Sequence, residues 1–158
     1  MSDEKQKKLQ GDLLRAMVLR QIEIDPKMVK IAGHDPGTDH ASPGYQPGRA
    51  HSLSEKTPEL QALRKNIEKF GFDKNQSPFV VERNGVFYVL AGRGRTFVCR
   101  LIENSGYTVN VLPDTTKAIH LAMLCDALQN ASQRPLGDLS KVDTVKMVLG
   151  LSKKQLEG

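Results

Sequence analysis

The feature that most constrains the fold of this chain is a strand–turn–strand–turn–helix unit at its centre. Two β-rich runs, 79–83 and 86–90, flank Asn84-Gly85, and Asn-Gly between such runs is a strong hairpin signal. The second run leads into the turn Gly92-Arg93-Gly94-Arg95-Thr96, and an apolar helical pattern continues to about residue 104. The unit predicts a sheet with helices packed against it.

Further helices and strands are predicted on both sides of this unit. In chain order they are a helix over 4–20, a strand over 22–24, a helix from Thr57-Pro58 to Phe70 closed by Gly71, a strand over 107–112, a helix over 115–130, and helical segments over 142–149 and 150–156. Helical spacing predicts buried stripes that contain Leu9, Leu13, Leu14, Met17 and Val18 in the first helix and Leu60, Leu63, Ile67 and Phe70 in the second.

The order of these elements predicts an α+β fold rather than a doubly wound sheet. We expect a small mixed sheet with packed helices, followed by a helical C-terminal segment. The corresponding division is an N-terminal amphipathic helix or arm over 1–20, a core over 21–114, and a helical segment over 115–158.

Composition narrows the class of protein. The 158 residues suffice for one domain with a real core, and the formal net charge of +5 mildly favours an anionic partner. The first residues are polar, so we expect no signal peptide, and no apolar run reaches membrane-spanning length. Cys99 and Cys125 lie in apolar helical patterns, which predicts free thiols and a cytoplasmic protein.

A loop of about twenty residues, 33–53, is punctuated by glycine and proline. It contains side chains that can ligate metals, but without a recognised ligand spacing. A solvated loop is therefore favoured over a metal site. The side chains concerned are His34, Asp35, Asp39, His40 and His51.

The Gly92–Thr96 turn has the chemistry of a phosphate cradle. Glycine lets the backbone approach a ligand, a helix N-terminus offers free N–H groups, and arginine matches phosphate oxygens. The pattern is neither a P-loop nor a dinucleotide fingerprint. A tight turn with solvated arginines explains it equally well. The polar run from Gln129 to Arg134 is explained either by helix termination or by a second wall of the same site.

Taken together, these pieces resemble the N-terminal domain of the ParB family of chromosome and plasmid partition proteins, which has the ParB/sulfiredoxin-like fold. The resemblance covers roughly residues 20–157. In order, it uses Gln46-Pro47-Gly48-Arg49, the helix over 60–67 with Gly71, Gln76-Ser77-Pro78, Gly92-Arg93-Gly94-Arg95, and Gln129-Asn130 with Gln133-Arg134.

The resemblance implies a site for a nucleotide, most simply CTP with Mg²⁺. The phosphates would be lined by Gly92, Arg93, Gly94 and Arg95. Three further residues would belong to the nucleotide-binding site, namely Thr96, Gln133 and Arg49. Asn130 and Arg134 would approach the metal-bound phosphates, with Asn130 as a metal ligand. Gln76 and Pro78 would lie near the base or the site wall.

The chain also departs from the family pattern. Arg93 stands where the family has Glu, Gly94 where it has the first Arg, and Gln129 where it has a second Glu. A carboxylate can hold Mg²⁺ or orient water, so its loss leads us to expect weak or absent CTPase activity. The sulfiredoxin branch is excluded because its catalytic cysteine belongs in the turn, whereas Cys99 lies in the following helix.

The family's partners are implied in the same way. They are DNA, bound directly or through a C-terminal helix-turn-helix domain whose opening resembles residues 150–156, a second copy in a homodimer, and a partition ATPase. A nucleoid- or plasmid-associated clamp is the expected function. A metal-dependent nuclease or nucleotide hydrolase, and an interaction module with a vestigial pocket, remain as alternatives.

Overall fold

A computed structural model describes residues 3–47 and 53–133 of the chain, with backbone alone for 130–133. Two 3₁₀ turns, Pro26–Met28 and Lys74–Gln76, join longer elements. Those elements are α1 (Asp3–Ala16), β1 (Arg20–Glu23), β2 (Val29–Lys30), α2 (Pro58–Phe70), β3 (Phe79–Arg83), β4 (Val86–Ala91), α3 (Arg93–Cys99), β5 (Thr108–Leu112) and α4 (Thr116–Gln133).

The five described strands form one mixed sheet in the order β1-β5-β3-β4-β2. The pairs β1/β5 and β3/β4 are antiparallel, whereas β3/β5 and β2/β4 are parallel. The predicted hairpin is confirmed. Asn84 and Gly85 both have positive φ, at 54° and 78°, as a type I′ turn requires. The fold is α+β, as the sequence predicts.

Helices cover both faces of the sheet. On one face, Ile67 of α2 and Val98 of α3 pack against sheet residues such as Val89. On the other, Leu14 of α1 packs with Ala118 and Ala122 of α4. The small side chains of α4 let that helix approach the sheet closely. Apolar burial on two faces makes the sheet the centre of the molecule.

The ends of α2 follow the predicted signals. Pro58 is the first helical residue after Thr57. Gly71 ends the helix with φ 84°, and its backbone N–H donates a hydrogen bond to the carbonyl oxygen of Ile67. Cys99 and Cys125 are free thiols, and burial raises the pKa of each to about 11. None of the helices described is long and apolar enough to span a membrane.

Several predicted boundaries and buried positions are wrong. The first helix ends at Ala16 rather than residue 20, and α3 ends at Cys99 rather than 104. The helix predicted to end at residue 130 continues to Gln133. The end of this helix was predicted too early, because Asn and Ser are favourable at helix ends but do not require the helix to end there.

Three of the residues predicted to be buried lie at the surface. Leu9 is 50 %, Leu13 is 51 % and Phe70 is 72 % exposed. Leu14, by contrast, is 2 % exposed. The first helix carries two overlapping apolar stripes, and only the one that contains Leu14 faces α4. The helical segments predicted over 142–149 and 150–156 lie outside the described residues.

Candidate anion-binding site

The centre of the candidate site is the sharp turn that joins β4 to α3. Gly92 has φ 98° and ψ 31°, the left-handed conformation that glycine adopts readily. A Cβ atom at Gly92 would lie 2.7 Å from the Cβ of Pro78, and one at Gly94 would lie 3.0 Å from Leu60 Cδ2. Glycine at both positions therefore lets the turn pack between Pro78 and α2.

Arg95 points from this turn toward the 3₁₀ segment that precedes β3. Its Nη2 donates a hydrogen bond to Oε1 of Gln76. Burial lowers the pKa of Arg95, and the charges of Cys99 and Asp73 partly oppose that shift. Arginine nevertheless remains protonated at any physiological pH. Gln76 thus holds a partly desolvated cation through a neutral oxygen.

Arg93 points in the opposite direction. Its side chain is 2 % exposed, and Nη2 donates to the carbonyl oxygen of Ala32 at 3.4 Å. Burial and the charges of Arg100 and Arg93 lower the pKa of His34, outweighing the opposing charge of Asp35. The His34 ring meets Phe97 edge-on, with 5.5 Å between ring centroids. Arg93 therefore belongs to the packing between α3 and the segment after β2.

Thr96 also faces inward. Its Oγ1 donates to the carbonyl oxygen of Gly92 at 3.1 Å and lies 2.7 Å from the hydroxyl of Tyr107. Burial raises the pKa of Tyr107, which keeps this phenol neutral. Thr96 is fully buried, so its hydroxyl stabilises the turn from the interior of the domain.

An ion pair fixes the segment next to the turn. Arg100 at the end of α3 binds both oxygens of Asp35, at 2.7 and 2.6 Å, and also donates to the carbonyls of Val29 and Pro26. The backbone N–H of Ile31 donates to the same carboxylate at 2.6 Å. These bonds engage both Asp35 oxygens, and no residue adjacent to Asp35 or Arg100 in the sequence indicated that the two would pair.

The end of the described loop, at residues 43–46, is packed against the domain, whereas Asp39 and His40 are exposed, as expected for a solvated loop. A Cβ at Gly44 would lie 2.2 Å from the carbonyl oxygen of Val89, so the backbone there lies directly on β4. Gln46 is 1 % exposed, and its Nε2 donates to Oδ2 of Asp126 at 3.2 Å. The sequence analysis did not select Asp126. A single acidic residue within the apolar run 121–128 could have indicated a buried carboxylate with a hydrogen-bond partner.

The structure brings four of the predicted site residues together: Gln76, Pro78, Gly92 and Arg95. Gly94 adjoins them in the first turn of α3. Asn130 and Gln133 lie at the end of α4, and their side chains are not described. Arg49 and Arg134 lie outside the described residues.

The described donors suit an anion better than a cation. Within 3–47 and 53–133 there is no group of three or more His, Cys, Asp or Glu side chains able to hold a metal ion. The candidate ligand Asp35 is bound by Arg100. Arg95 and Gln76 can instead offer N–H groups to phosphate oxygens.

A surface groove of about 540 Å³ lies beside the turn, between α2 and α3. Leu60, Phe97 and Leu101 line its apolar part, and Lys56, Arg64, Lys65, Glu55, Glu68 and Gln61 line the rest. Leu60 also contacts Gly94, so the groove adjoins the site rather than containing Arg95.

Comparison with known proteins identified no relative: no family model, no curated protein and no solved structure matches this chain.

Proposed function

We propose that this chain is a ParB-like nucleotide-binding protein that takes CTP with Mg²⁺ and acts in a DNA-associated process such as partition. The observation that carries the proposal is the contact of Arg95 with Gln76 beside the left-handed turn at Gly92. These residues belong to two motifs of the resemblance and are 19 positions apart in the chain.

Arg95 supports the proposal because its charge has a neutral partner. None of the ion pairs among the described residues includes Arg95. A phosphate would bring a negative charge into direct contact with Arg95 and accept a charge-assisted hydrogen bond from it. Since α3 has only seven residues, the proposal rests on this side chain rather than on the helix dipole.

The other residues are assigned roles that fit their positions. Pro78 and Gly92 form the wall beside Arg95, whereas Arg93 and Thr96 support the turn from inside. Asn130, Gln133, Arg134 and Arg49 are proposed to complete the phosphate and metal contacts. With Arg93 in place of the family's acid, we expect binding with little or no hydrolysis. A partner copy, DNA and a partition ATPase belong to the same proposal.

An interaction module with a vestigial pocket is the second candidate. The burial of Arg93 and Thr96 favours it, because it removes two polar side chains from the surface of the turn. A metal-dependent nuclease that uses Asp35 has less support, since Arg100 engages both oxygens of that carboxylate.

Calorimetric titration with CTP, ATP and GTP in the presence of Mg²⁺ tests the proposal. We expect CTP to bind and Arg95→Ala to weaken binding by about 1.5–3 kcal/mol, the range for a hydrogen bond to a charged group. Arg83→Ala is the matched control, because Arg83 pairs with Asp114 at the far end of the hairpin. Failure of the folded protein to bind any of the three nucleotides would favour the interaction module.

A further inference from the structure

Gln76, a neutral partner of Arg95, lies in the 3₁₀ turn Lys74–Gln76 that precedes β3. Next to this turn, the N–H of Asn75 donates to Oδ1 of Asp73, and the N–H of Gln76 donates to the carbonyl oxygen of Asp73, each at 2.9 Å. A 3₁₀ turn of three residues is short, and its hydrogen bonds have poorer geometry than those of an α-helix. The position of the turn therefore depends on contacts with the rest of the fold.

Gln21 of β1 makes such contacts. Its Nε2 donates to the carbonyl oxygen of Lys74 at 3.1 Å and to Oδ1 of Asn110 at 3.0 Å, and lies 3.3 Å from Oγ of Ser77. Gln21 and Asn110 are directly opposite each other in the antiparallel pair of β1 and β5, so their side chains share one face of the sheet. One side-chain amide therefore joins two neighbouring strands to the turn.

Buried hydroxyl groups hold the other side of the same turn. The Oγ of Ser77 donates to the carbonyl oxygen of Lys74 at 2.7 Å and lies 2.5 Å from Oγ1 of Thr108, and both residues are buried. The Nδ2 of Asn110 donates to the carbonyl oxygen of Ser77 at 3.4 Å. The Lys74 carbonyl thus accepts from the interior through Ser77 and from the surface through Gln21. Without the Gln21 amide, the turn would be held from the interior alone.

These bonds affect Arg95 through Gln76. The backbone of the turn sets where the Gln76 side chain begins, and Oε1 of that side chain accepts the hydrogen bond from Nη2 of Arg95. Gln76 is exposed, so its side chain loses rotamer freedom to keep this bond. A fixed backbone limits the loss to the side chain itself. A guanidinium group that is aligned before the ligand arrives binds an anion at a lower entropic cost.

We propose that Gln21 is a positioning residue for Arg95. Its side-chain amide holds the turn that carries Gln76, and Gln76 keeps the Arg95 guanidinium aligned for a phosphate oxygen. Gln21 acts on the ligand only through these two residues. The consequence for binding rests on the function proposed above, whereas the alignment of Arg95 is a property of the free protein and is measured without a nucleotide.

The first test uses the free protein. Gln21→Met keeps a side chain of similar length and removes its N–H donors. We expect the backbone N–H groups of Gln76 and Ser77 to exchange with solvent at least about threefold faster, and the Nε–Hε signal of Arg95 to shift in nuclear magnetic resonance spectra. The N–H of Val89, a fully buried residue of β4, should keep its protection, which shows that the fold is intact. Unchanged exchange at the turn, or an unmoved Arg95 signal, would overturn the proposal.

The second test measures binding by calorimetric titration with CTP and Mg²⁺. Gln21→Met should weaken binding about two- to tenfold, the range for one hydrogen bond. In a Gln76→Met background the same substitution should have no further effect, because Gln21 acts through Gln76. Gln6→Met, at an exposed glutamine of α1, is the matched control and should leave the affinity unchanged.

An equal loss of affinity in the wild-type and Gln76→Met backgrounds would overturn the proposal. Failure of the wild-type protein to bind CTP would instead count against the function proposed above. In that case the exchange rates and the Arg95 signal of the free protein still decide whether Gln21 positions Arg95.

Discussion

Two glycines on either side of β4 fix the backbone around the candidate site. Gly44 lies on the carbonyl of Val89, and Gly92 lies on Pro78. Each has positive φ as well as a neighbour that leaves no room for a Cβ atom. Conformation and space therefore both require glycine at these two positions, and the turn that presents Arg95 depends on the second.

Replacing these glycines by alanine should destabilise the protein in a definite order. We expect Gly44→Ala to cost most, since its Cβ would lie 2.2 Å from a backbone oxygen, and Gly92→Ala next, at 2.7 Å from Pro78. Gly37→Ala is the control for backbone strain alone, because no atom lies within 4 Å of its Cβ and φ is 81°. Its cost should be about 1–2 kcal/mol. Urea denaturation measures all three, and equal losses would refute the role of the close contacts.

Among the elements, α3 is the junction of the fold although it has only seven residues. Arg93 joins it to the segment after β2, Arg95 to the segment before β3, and Thr96 to β5 through the neighbouring Tyr107. Arg100, just beyond its end, joins it to Asp35. Its polar side chains orient the candidate site and hold the adjacent loop.

Among the ion pairs of the described residues, the pair of Arg100 and Asp35 should be the most costly to break. Its side chains are only 16 % and 11 % exposed, so Arg100→Ala would leave a poorly solvated carboxylate. We expect a loss of about 3 kcal/mol in the free energy of unfolding. Arg20→Ala, which removes a surface pair with Glu82, should cost less than about 1 kcal/mol. Chemical denaturation at pH 7 compares the two, and similar losses would contradict the structural role of Asp35.

The pH dependence gives the same pair a second signature. Burial alone would raise the pKa of Asp35, but hydrogen bonds from Arg100 and Ile31 together with the arginine charge lower it below its usual value. A lowered folded-state pKa stabilises the protein above the unfolded value of about 3.9, and this contribution is lost as pH falls through the folded value. The stability of Asp35→Asn should therefore change less than that of wild type when pH is lowered below about 4.

At the scale of the whole molecule, local signals predicted the elements better than their partners. Asn84-Gly85 predicted the hairpin because both turn residues must adopt positive φ. Thr57-Pro58 and Gly71 predicted the ends of α2 for reasons contained in a few adjacent residues. The α+β class followed from the order of such elements.

The remaining features depend on residues far apart in the chain. The parallel pairing of β3 with β5, the bond from Gln46 to Asp126 and the ion pair of Asp35 with Arg100 join positions at least 31 residues apart. Sequence periodicity carries no information on which distant residues meet. For the candidate site, the resemblance selected Gln76 and Arg95, which are in contact, but the inward direction of Arg93 depends on tertiary packing.

The position of α1 allows a test of whether this helix folds cooperatively with the rest of the domain. Sequence alone allowed an N-terminal arm, whereas Leu14 packs with α4 and the sheet. Leu14→Ala should therefore destabilise the whole fold by about 2–5 kcal/mol through lost burial and a cavity. Leu19→Ala, at a residue 67 % exposed, should change stability by no more than about 0.5 kcal/mol. Unfolding followed by far-ultraviolet circular dichroism compares them. If α1 is an integral part of the core, the Leu14 variant should show one transition shifted to lower denaturant. An unshifted main transition would mean that the sheet and its other helices fold without α1.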